Sequence, residues 1–282
     1  MRPRLAALRL VHPFPSALNA LLVLGLALLA GAAPEVALTL ALAMLLLQFS
    51  IGAANDYFDV EADARTKPAK PIPRGLVSRR TALGVAVGSG GLALALAGAA
   101  GLTVLLLAAV MLAAGWAYDA ALKPTAWGWA CFAVAFPLLP VYAWWGAAGE
   151  LPPRAELLLP LAALAGPALQ LANGLVDLER DRLAGLSTLP VRLGRAGSLL
   201  AMGLLLGVIH GLAWLTLVGG EGGGLPSVLL VGPAGLLAGL GLALSSSLAP
   251  PRREMGWQAQ ALAIGGLAVG WLAAVLRAGA GG

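Results

Sequence analysis

The chain has 282 residues, of which 60% are hydrophobic and only 11% are charged, and its mean hydropathy is +0.88. Soluble domains carry roughly 25% charged residues, so this composition excludes an ordinary soluble protein and indicates a surface that faces lipid. The net charge of +5 could suggest nucleic acid as a partner, but an excess of Lys and Arg in so apolar a chain is better explained by membrane topology. We therefore expect membrane lipid, and no nucleic acid, as a partner.

Long uncharged stretches predict nine transmembrane helices, because a helix needs roughly 20 apolar residues to cross a bilayer core. The stretch Thr81–Tyr118 is too long for one span, and Gly98–Gly101 near its middle predicts a turn that divides it in two. We expect an all-α polytopic membrane protein that forms a single domain over residues 1–282, with its helices around a central cavity. The predicted spans cover about residues 14–34, 36–56, 80–98, 101–119, 124–148, 156–176, 196–219, 225–248 and 256–276.

Basic residues are distributed unevenly between the two faces that these spans define. One face, with the N-terminus and two long polar segments, carries 16 of the 18 Lys and Arg residues, and the other carries only Arg154 and Arg277. The positive-inside rule makes the first face cytoplasmic, which predicts an integral protein of the cell membrane with a cytoplasmic N-terminus. The N-terminal region also has features of a signal peptide, but its long basic part and Pro34 favour an uncleaved first span.

Acidic residues are concentrated in two matching segments at the ends of the predicted second and sixth spans. Residues 55–63 (cassette 1) read NDYFDVEAD, and residues 173–181 (cassette 2) read NGLVDLERD. Both follow the pattern N-x-x-x-D-x-E-x-D, at an offset of 118 residues. An even number of predicted helices separates them, so both should open on the cytoplasmic face. The repeat predicts an internal duplication, as is common in membrane proteins.

The spacing within each cassette predicts a row of oxygen ligands. Residues at i, i+4 and i+8 lie on one side of a helix, which groups Asn55, Asp59 and Asp63 in cassette 1. Asn173, Asp177 and Asp181 are grouped in the same way in cassette 2. Carboxylates so close together near lipid need a counter-charge. Oxygen ligands without neighbouring His or Cys suit Mg²⁺, which keeps water ligands and bridges to substrate phosphates.

Basic residues next to the cassettes could neutralise phosphate as a leaving group departs. They are Arg65, Lys67, Lys70, Lys123, Arg180, Arg182 and Arg192. The remaining arginines beside the spans, Arg79, Arg80, Arg252 and Arg253, are interpreted as topology determinants only.

At these residues the chain resembles the UbiA superfamily of intramembrane prenyltransferases. Cassette 1 and the following RTKPAKPIPRG resemble the family's NDxxDxxxD motif with its basic PIPxG segment. Cassette 2, continued as RLAGLSTLPVRLG, resembles the DxxxD signature with its G-x-x-T/S-L-P-V-x-L-G tail. Tyr118 and Lys123 resemble the Y-x-x-x-x-K feature that follows the fourth helix. The similarity extends over about residues 10–280.

The resemblance implies an enzyme that transfers an isoprenyl group from its diphosphate to a membrane-accessible acceptor, with ionisation to an allylic cation and release of pyrophosphate. It implies two Mg²⁺ ions that bind the diphosphate between the cassettes. The implied metal ligands are Asn55, Asp56, Asp59, Asp63, Asn173, Asp177 and Asp181. The implied diphosphate contacts are Arg65, Lys67, Lys123 and Arg182, and catalytic roles fall on Asp59, Asp63, Asp177, Asp181, Tyr118 and Lys123.

Two positions depart from the family pattern. Gly174 stands where many members have Asp, and His12 precedes Pro13 where relatives often have Arg or Lys. The base that accepts the acceptor's proton is open between Tyr118, Asp119 and a carboxylate of cassette 2. His210, in the middle of the predicted seventh span, is interpreted as a packing residue.

The acceptor that we expect is an aromatic ring in quinone biosynthesis. A glyceryl phosphate or a tetrapyrrole carboxylate is the alternative within the same enzyme class. An ion-coupled secondary transporter is the alternative of another class, since duplication and paired acidic motifs also occur in such carriers. The acids lie at the predicted membrane edge beside basic loops, which favours the enzyme. No obligate protein partner is expected.

Overall fold

A computed structural model describes residues 9–218 and 224–280, and within these ranges the chain is helical and has no β-strand. Among the residues described, eight helices are long and apolar enough to cross a membrane, and a further apolar helix near the N-terminus has 17 residues. These findings confirm the all-α polytopic fold class. The helices are α1 (Pro13–Leu29), α2 (Pro34–Phe58), α3 (Val60–Thr66), α4 (Arg79–Ala99), α5 (Leu102–Ala117), α6 (Gly128–Ala148), α7 (Ala155–Leu183), α8 (Leu189–Val218), α9 (Leu225–Ser245) and α10 (Pro250–Ala280).

Local sequence explains where several helices begin and end. Pro13 and Pro34 occupy the first positions of α1 and α2, where a missing N–H costs nothing. Ser78 caps α4, because its hydroxyl accepts a hydrogen bond from the backbone N–H of Thr81 at 3.0 Å. Between α4 and α5 the chain turns at Gly101, whose φ of 127° is open only to glycine. The predicted turn at Gly98–Gly101 is therefore confirmed.

The two cassettes lie on different local structures. In cassette 1, α2 ends at Phe58, and Asp59 forms the junction to the short helix α3. Asp59 leaves regular helical geometry, with φ −82° and ψ 1°. Its backbone N–H still donates to the carbonyl of Asn55 at 3.0 Å, and its carbonyl accepts from the N–H of Asp63 at 2.7 Å. Cassette 2 instead lies within the 29-residue helix α7, which continues to Leu183, beyond the predicted end at residue 176.

Helix α8 contains a kink near its start. Gly194 has φ 67° and ψ 177°, so the segment Leu189–Leu193 meets the long helix at an angle. The kink lies just before residue 196, where the seventh span was predicted to begin. Residues with larger side chains essentially never adopt this backbone conformation, which explains a glycine here.

The chain forms two compact units, and each contains one cassette. The first comprises the residues up to Lys123 together with Leu138–Leu151. Its centre is α2, which packs against α1, α4 and α5. Leu40, Met44 and Leu47 of α2 are almost completely buried, and Tyr142 donates a hydrogen bond from its hydroxyl to the carbonyl of Leu40 at 3.2 Å.

The second unit comprises Pro124–Pro137 and the residues from Pro152 onward. Helix α7 packs against α8 and α10, and α9 packs against α10. The core below cassette 2 is apolar and tightly closed. Its buried members are Ala168, Leu171, Ala172, Leu175, Leu178, Met202 and Leu206. This core fixes α7 and hence the position of the cassette at its end.

Candidate active site

Two carboxylates of cassette 1 converge on the same lysine. Nζ of Lys70 lies 2.8 Å from Oδ1 of Asp56 and 2.6 Å from Oδ2 of Asp63. Both aspartates are buried, at 3% and 4% exposure, and so need a partner for their charge. Lys70 comes from the Pro-rich segment after α3, which folds back over the helix end. The structure therefore brings Asp56 and Asp63 together around one cationic point.

Asp59 has a separate lysine partner. Its carboxylate pairs with the ammonium group of Lys123, 64 residues later in the chain. Burial by itself lowers the pKa of Lys123, but the charges of Asp59, Tyr118 and Asp119 outweigh this effect, so the pKa lies above its ordinary value. Lys123 is therefore positively charged throughout the physiological pH range. This contact connects cassette 1 to the predicted Tyr118–Lys123 feature.

Lys123 follows a π-helical turn, Tyr118–Leu122, at the end of α5. Such turns are rare and occur frequently at functional sites. Asp119 lies in this turn and is 5% exposed. Its Oδ1 accepts a hydrogen bond from Nδ2 of Asn55 at 2.8 Å, whereas its buried Oδ2 has no hydrogen-bond partner among the described residues. Asn55, Asp59, Asp119 and Lys123 thus form one polar cluster in the first unit.

His12 borders cassette 1 from the start of α1. Its Nε2 lies 3.3 Å from Oδ1 of Asp56, and its φ of 45° is uncommon for a residue other than glycine. A cavity of about 310 Å³ opens here, lined by His12, Asp56, Lys67 and Lys70 among others. The departure from the family pattern at position 12 therefore lies directly beside the acidic cassette.

Glu61, at the glutamate position of cassette 1, has a surface role. Its Oε1 lies 2.7 Å from Nη1 of Arg79, which also covers the ring of Tyr57 at 4.6 Å. A backbone hydrogen bond at Glu61 and the positive charge of Arg79 lower the pKa of this exposed carboxyl. Arg79 therefore does more than determine topology, because it fixes the outer side of the cassette.

Cassette 2 has its own charge partners within α7 and the following loop. Arg180 pairs with Asp177 three residues earlier, which is one turn of the helix. Oδ2 of Asp181 lies 3.4 Å from the hydroxyl of Thr188. Asn173 is exposed. The three predicted ligand positions of cassette 2 thus lie on one unbroken helix, as their spacing predicts.

Arg253 corrects one interpretation from the sequence. It was assigned to topology alone, but it is 0% exposed and binds both carboxylate oxygens of Glu179, with Nη1 at 2.7 Å from Oε1. A fully buried guanidinium needs such a partner. Nothing in the local sequence connects residues 179 and 253, since the contact depends on how α10 packs beside α7.

The glycine at position 174 also has a structural reason. A Cβ atom built on Gly174 would lie 2.5 Å from Cγ of Pro190, so any side chain here requires Pro190 to move. Pro190 belongs to the LPVRLG segment at the start of α8. Cassette 2 therefore has no carboxylate at position 174, where the segment that follows the cassette packs closely against α7.

The remaining predicted site residues lie at the ends of helices or beside the contacts described above. Arg65 and Arg182 are exposed on the last turns of α3 and α7, and Lys67 lines the cavity at His12. Tyr118 accepts a backbone hydrogen bond from Lys123 at 2.8 Å. Among the described residues, no group of three or more His, Cys, Asp or Glu is assembled as a ready metal site.

Lys70 and Asp119 are the two residues whose central positions the motifs did not single out. Lys70 was one of several basic residues after cassette 1, and Asp119 was one of several candidate bases. The only sequence signal for Asp119 is a carboxylate at the end of an otherwise apolar helix. His210 has Nδ1 2.9 Å from the carbonyl of Leu206, and the described residues offer its buried Nε2 no partner.

Known proteins are similar to this chain in sequence and in fold. The model of the UbiA prenyltransferase family matches residues 16–264. A protein of Methanopyrus kandleri named digeranylgeranylglyceryl phosphate synthase is 33% identical over 195 residues, which are 69% of this chain and 72% of that protein. The sequence left two classes of protein open, a prenyltransferase and an ion-coupled transporter. These matches identify a prenyltransferase.

Solved structures share the fold. A UbiA homologue from Archaeoglobus fulgidus, bound to DMAPP and Mg²⁺, superposes with a TM-score of 0.72 at 19% identity, covering 93% of this chain and 98% of that one. A structure described as a digeranylgeranylglyceryl phosphate synthase in membranes has a TM-score of 0.71 at 17% identity, covering 98% of this chain and 100% of that one. The chain belongs to the UbiA prenyltransferase family.

Proposed function

We propose that this enzyme transfers a prenyl group from its diphosphate to a prenylated glyceryl phosphate. The proposal rests on the relative from Methanopyrus kandleri, because the match covers most of both chains and the name of that protein specifies a prenylated glyceryl phosphate as its product. The aromatic acceptor expected from the sequence finds no support among these relatives. The glyceryl phosphate alternative replaces it, and with it the assignment to quinone biosynthesis is dropped.

The chemistry of the donor set supports Mg²⁺ as the cofactor. Asp56 and Asp63 already converge on one cationic atom, Nζ of Lys70, and the buried Oδ2 of Asp119 has no hydrogen-bond partner in the part of the chain that the structure describes. All of these ligands are oxygen atoms, which Mg²⁺ prefers. The residues present therefore fit the ion. We assign Mg²⁺ binding to Asn55, Asp56, Asp59, Asp63, Asn173, Asp177 and Asp181.

The lysines of cassette 1 have a second task in this proposal. Lys70 and Lys123 each pair with carboxylates of cassette 1. When the substrate binds, their ammonium groups turn to phosphate oxygens, while Arg65, Lys67 and Arg182 add positive charge around the leaving group. Bound Mg²⁺ would supply further positive charge that stabilises the departing pyrophosphate. The carboxylates are thereby released as ligands at the moment when they are needed.

The transfer itself forms one bond and breaks one bond. A hydroxyl oxygen of the glyceryl acceptor attacks C1 of the prenyl group, and the C1–O bond to the diphosphate breaks, with its electron pair leaving on pyrophosphate. The proton of the hydroxyl passes to a base of the protein. Water must be kept from the allylic cation, and the apolar helices that surround such a site would serve this purpose.

The reaction class can be tested with the full chain in detergent or in lipid bilayers. Geranylgeranyl diphosphate, Mg²⁺ and geranylgeranylglyceryl phosphate should together give pyrophosphate, and excess EDTA should stop its release. Asp177→Asn should lose activity while keeping the helical content and melting temperature of the wild type. Unchanged turnover in EDTA and in Asp177→Asn would refute the metal–diphosphate mechanism.

We also infer that both cassettes open on the cytoplasmic face of the membrane. The support is the distribution of charge, with 16 of 18 basic residues on the face that carries the cassettes. This orientation gives the enzyme access to diphosphates made in the cytoplasm. The single domain over residues 1–282 and the central cavity remain predictions of the sequence.

A further inference from the structure

Asp119 lies beside a metal-ligand position but outside both acidic motifs. Its Oδ1 accepts the hydrogen bond from Nδ2 of Asn55 at 2.8 Å, across 64 residues of chain. The carboxylate is 5% exposed, and its other oxygen has no hydrogen-bond partner among the described residues. Helix α5 ends here in a π-helical turn, which directs Asp119 and Lys123 toward cassette 1. A buried charge with one unused oxygen is costly and suggests a function.

The contact with Asn55 decides which atom of the amide can bind a metal ion. A side-chain amide has one oxygen, which can bind Mg²⁺, and one NH₂ group, which cannot. The two groups point in opposite directions, and a rotation of the amide by about 180° exchanges them. An ionised carboxylate can only accept hydrogen bonds, so Asp119 binds the NH₂ group of Asn55 and not its oxygen. The oxygen of Asn55 is then directed away from Asp119.

We propose that Asp119 is a positioning residue that fixes the amide of Asn55 so that its carbonyl oxygen is presented to the metal ion. The proposal rests on the proposed function, in which Asn55 is a ligand of Mg²⁺. Residues that orient metal ligands through a hydrogen bond typically change metal affinity by about 10- to 100-fold when they are removed.

A role in packing alone makes a different prediction. If the Asn55–Asp119 hydrogen bond only joined α2 to α5, its loss would lower stability and leave metal affinity unchanged in the folded fraction. The discriminating quantity is therefore metal binding by folded protein, independent of turnover. Mn²⁺ is a suitable probe, because it accepts the same oxygen ligands as Mg²⁺ and is detected by electron paramagnetic resonance.

The experiment titrates the full chain in detergent with Mn²⁺ in the presence of inorganic pyrophosphate. Four proteins form a double-mutant cycle: the wild type, Asp119→Leu, Asn55→Ala and the combination of both. Asp119→Leu should weaken Mn²⁺ binding by about 10-fold or more. In the Asn55→Ala background the same substitution should have no further effect, since the residue that it positions is absent. If leucine prevents folding, alanine replaces it in the same cycle.

A matched control removes another buried polar group from the same unit. Tyr142→Phe loses the hydrogen bond to the carbonyl of Leu40, which lies 15 residues before Asn55 on α2. The two positions are about 22 Å apart along the helix, so Mn²⁺ binding should match that of the wild type. Melting temperatures of all variants establish that folded protein is compared.

The outcomes separate this inference from the proposed function. Equal Mn²⁺ affinity in the wild type and in Asp119→Leu would overturn the positioning role and leave the metal–diphosphate site standing. An effect of Asp119→Leu that is as large without Asn55 as with it would also overturn the role, because Asp119 would then act by itself. Absence of pyrophosphate-dependent Mn²⁺ binding in the wild type would refute both proposals.

Discussion

Each aspartate of cassette 1, whether buried or half-buried, is paired with a cation from outside the cassette. Asp59 pairs with Lys123, and Asp56 and Asp63 share Lys70. Without such partners, ionised carboxylates near lipid would be too costly to retain. The same pairs place the proposed ligand atoms beside cations that suit phosphate. At the scale of single residues, we therefore expect stability and substrate binding to depend on the same charges.

The first prediction compares two acids of cassette 1. Asp59→Asn should reduce prenyl transfer by about 100- to 1000-fold, because it removes a charge that acts on the leaving group through metal and lysine. Glu61→Gln should stay near the wild-type rate, since Glu61 is exposed and contacts Arg79 at the surface. Pyrophosphate release with saturating substrates measures both. Similar losses in the two variants would contradict a specific role of Asp59.

The second prediction concerns stability at cassette 2. Glu179→Gln leaves the fully buried Arg253 without its counter-charge, and because Glu179 is half-exposed we expect a loss of about 1–3 kcal/mol. The unfolding of the detergent-solubilised protein, followed by circular dichroism, should show a lower midpoint. The matched variant Glu61→Gln should leave the midpoint unchanged. If both variants melt like the wild type, the Arg253–Glu179 pair does not stabilise the fold.

For single residues, the sequence predicted which residue types form the site better than it predicted which side chains contact one another. The repeat N-x-x-x-D-x-E-x-D located the acids, because a duplicated pattern is visible without any structure. It did not pair Asp119 with Asn55 or Arg253 with Glu179, since these contacts join residues 64 and 74 positions apart. Such pairs follow from how helices pack, and apolar helices of similar composition do not specify their neighbours by pattern alone.

The helices differ in how they carry the two cassettes. Helix α2 breaks at Asp59, so that cassette 1 turns into α3 and the Pro-rich segment with Lys70, whereas α7 continues through cassette 2 as one helix. The spacing of the acids is the same in both, but the side chains of cassette 1 are divided between two lysines. The two copies of the repeated sequence pattern therefore have different local structures.

The third prediction tests the kink in α8 with two glycines of that helix. Gly194→Ala should destabilise the protein by about 1–3 kcal/mol, because φ 67° with ψ 177° is a conformation essentially restricted to glycine. Gly207→Ala should be neutral or stabilising by up to about 1 kcal/mol, since it is helical and a Cβ there meets no atom within 4 Å. Thermal unfolding compares the two. A stabilising Gly194→Ala would show that the kink is absent in the folded protein.

The turn at Gly101 could be predicted because a long apolar stretch must be divided and glycines mark the place. The kink at Gly194 could not be predicted, because a glycine between Leu193 and Arg195 has the same appearance in a loop, a cap or a helix. The predicted end of the sixth span, at residue 176, was placed where charges begin. The helix continues because hydrogen bonding within α7 does not depend on lipid.

At the scale of the whole molecule, the excess of positive charge is the basis for the proposed orientation of the protein in the membrane. The loop after cassette 1 and the turn between α4 and α5 are separated by one 21-residue helix, about 31 Å long, which is enough to cross the bilayer core. The two loops should therefore be exposed on opposite sides of the membrane. Sixteen basic residues are predicted for the side of cassette 1, and by the positive-inside rule we expect that side to be cytoplasmic.

The fourth prediction tests this orientation by cysteine labelling. In a Cys131→Ala background, which removes the single native cysteine, Ala64→Cys and Ala99→Cys each introduce one exposed thiol. A membrane-impermeant maleimide should label Ala99→Cys in intact spheroplasts and label Ala64→Cys only after the membrane is opened. The reverse pattern would place the cassettes outside the cell and contradict the proposed access to cytoplasmic diphosphates.

The central claim is that this family member attaches a prenyl group to a glyceryl phosphate, and a competition between acceptors tests it most directly. The purified full chain receives geranylgeranyl diphosphate, Mg²⁺ and equal concentrations of geranylgeranylglyceryl phosphate and 4-hydroxybenzoate, and the products are identified by mass spectrometry. The account predicts a doubly prenylated glyceryl phosphate as the main product, which is lost in Asp59→Asn. A prenylated benzoate as the main product would contradict it.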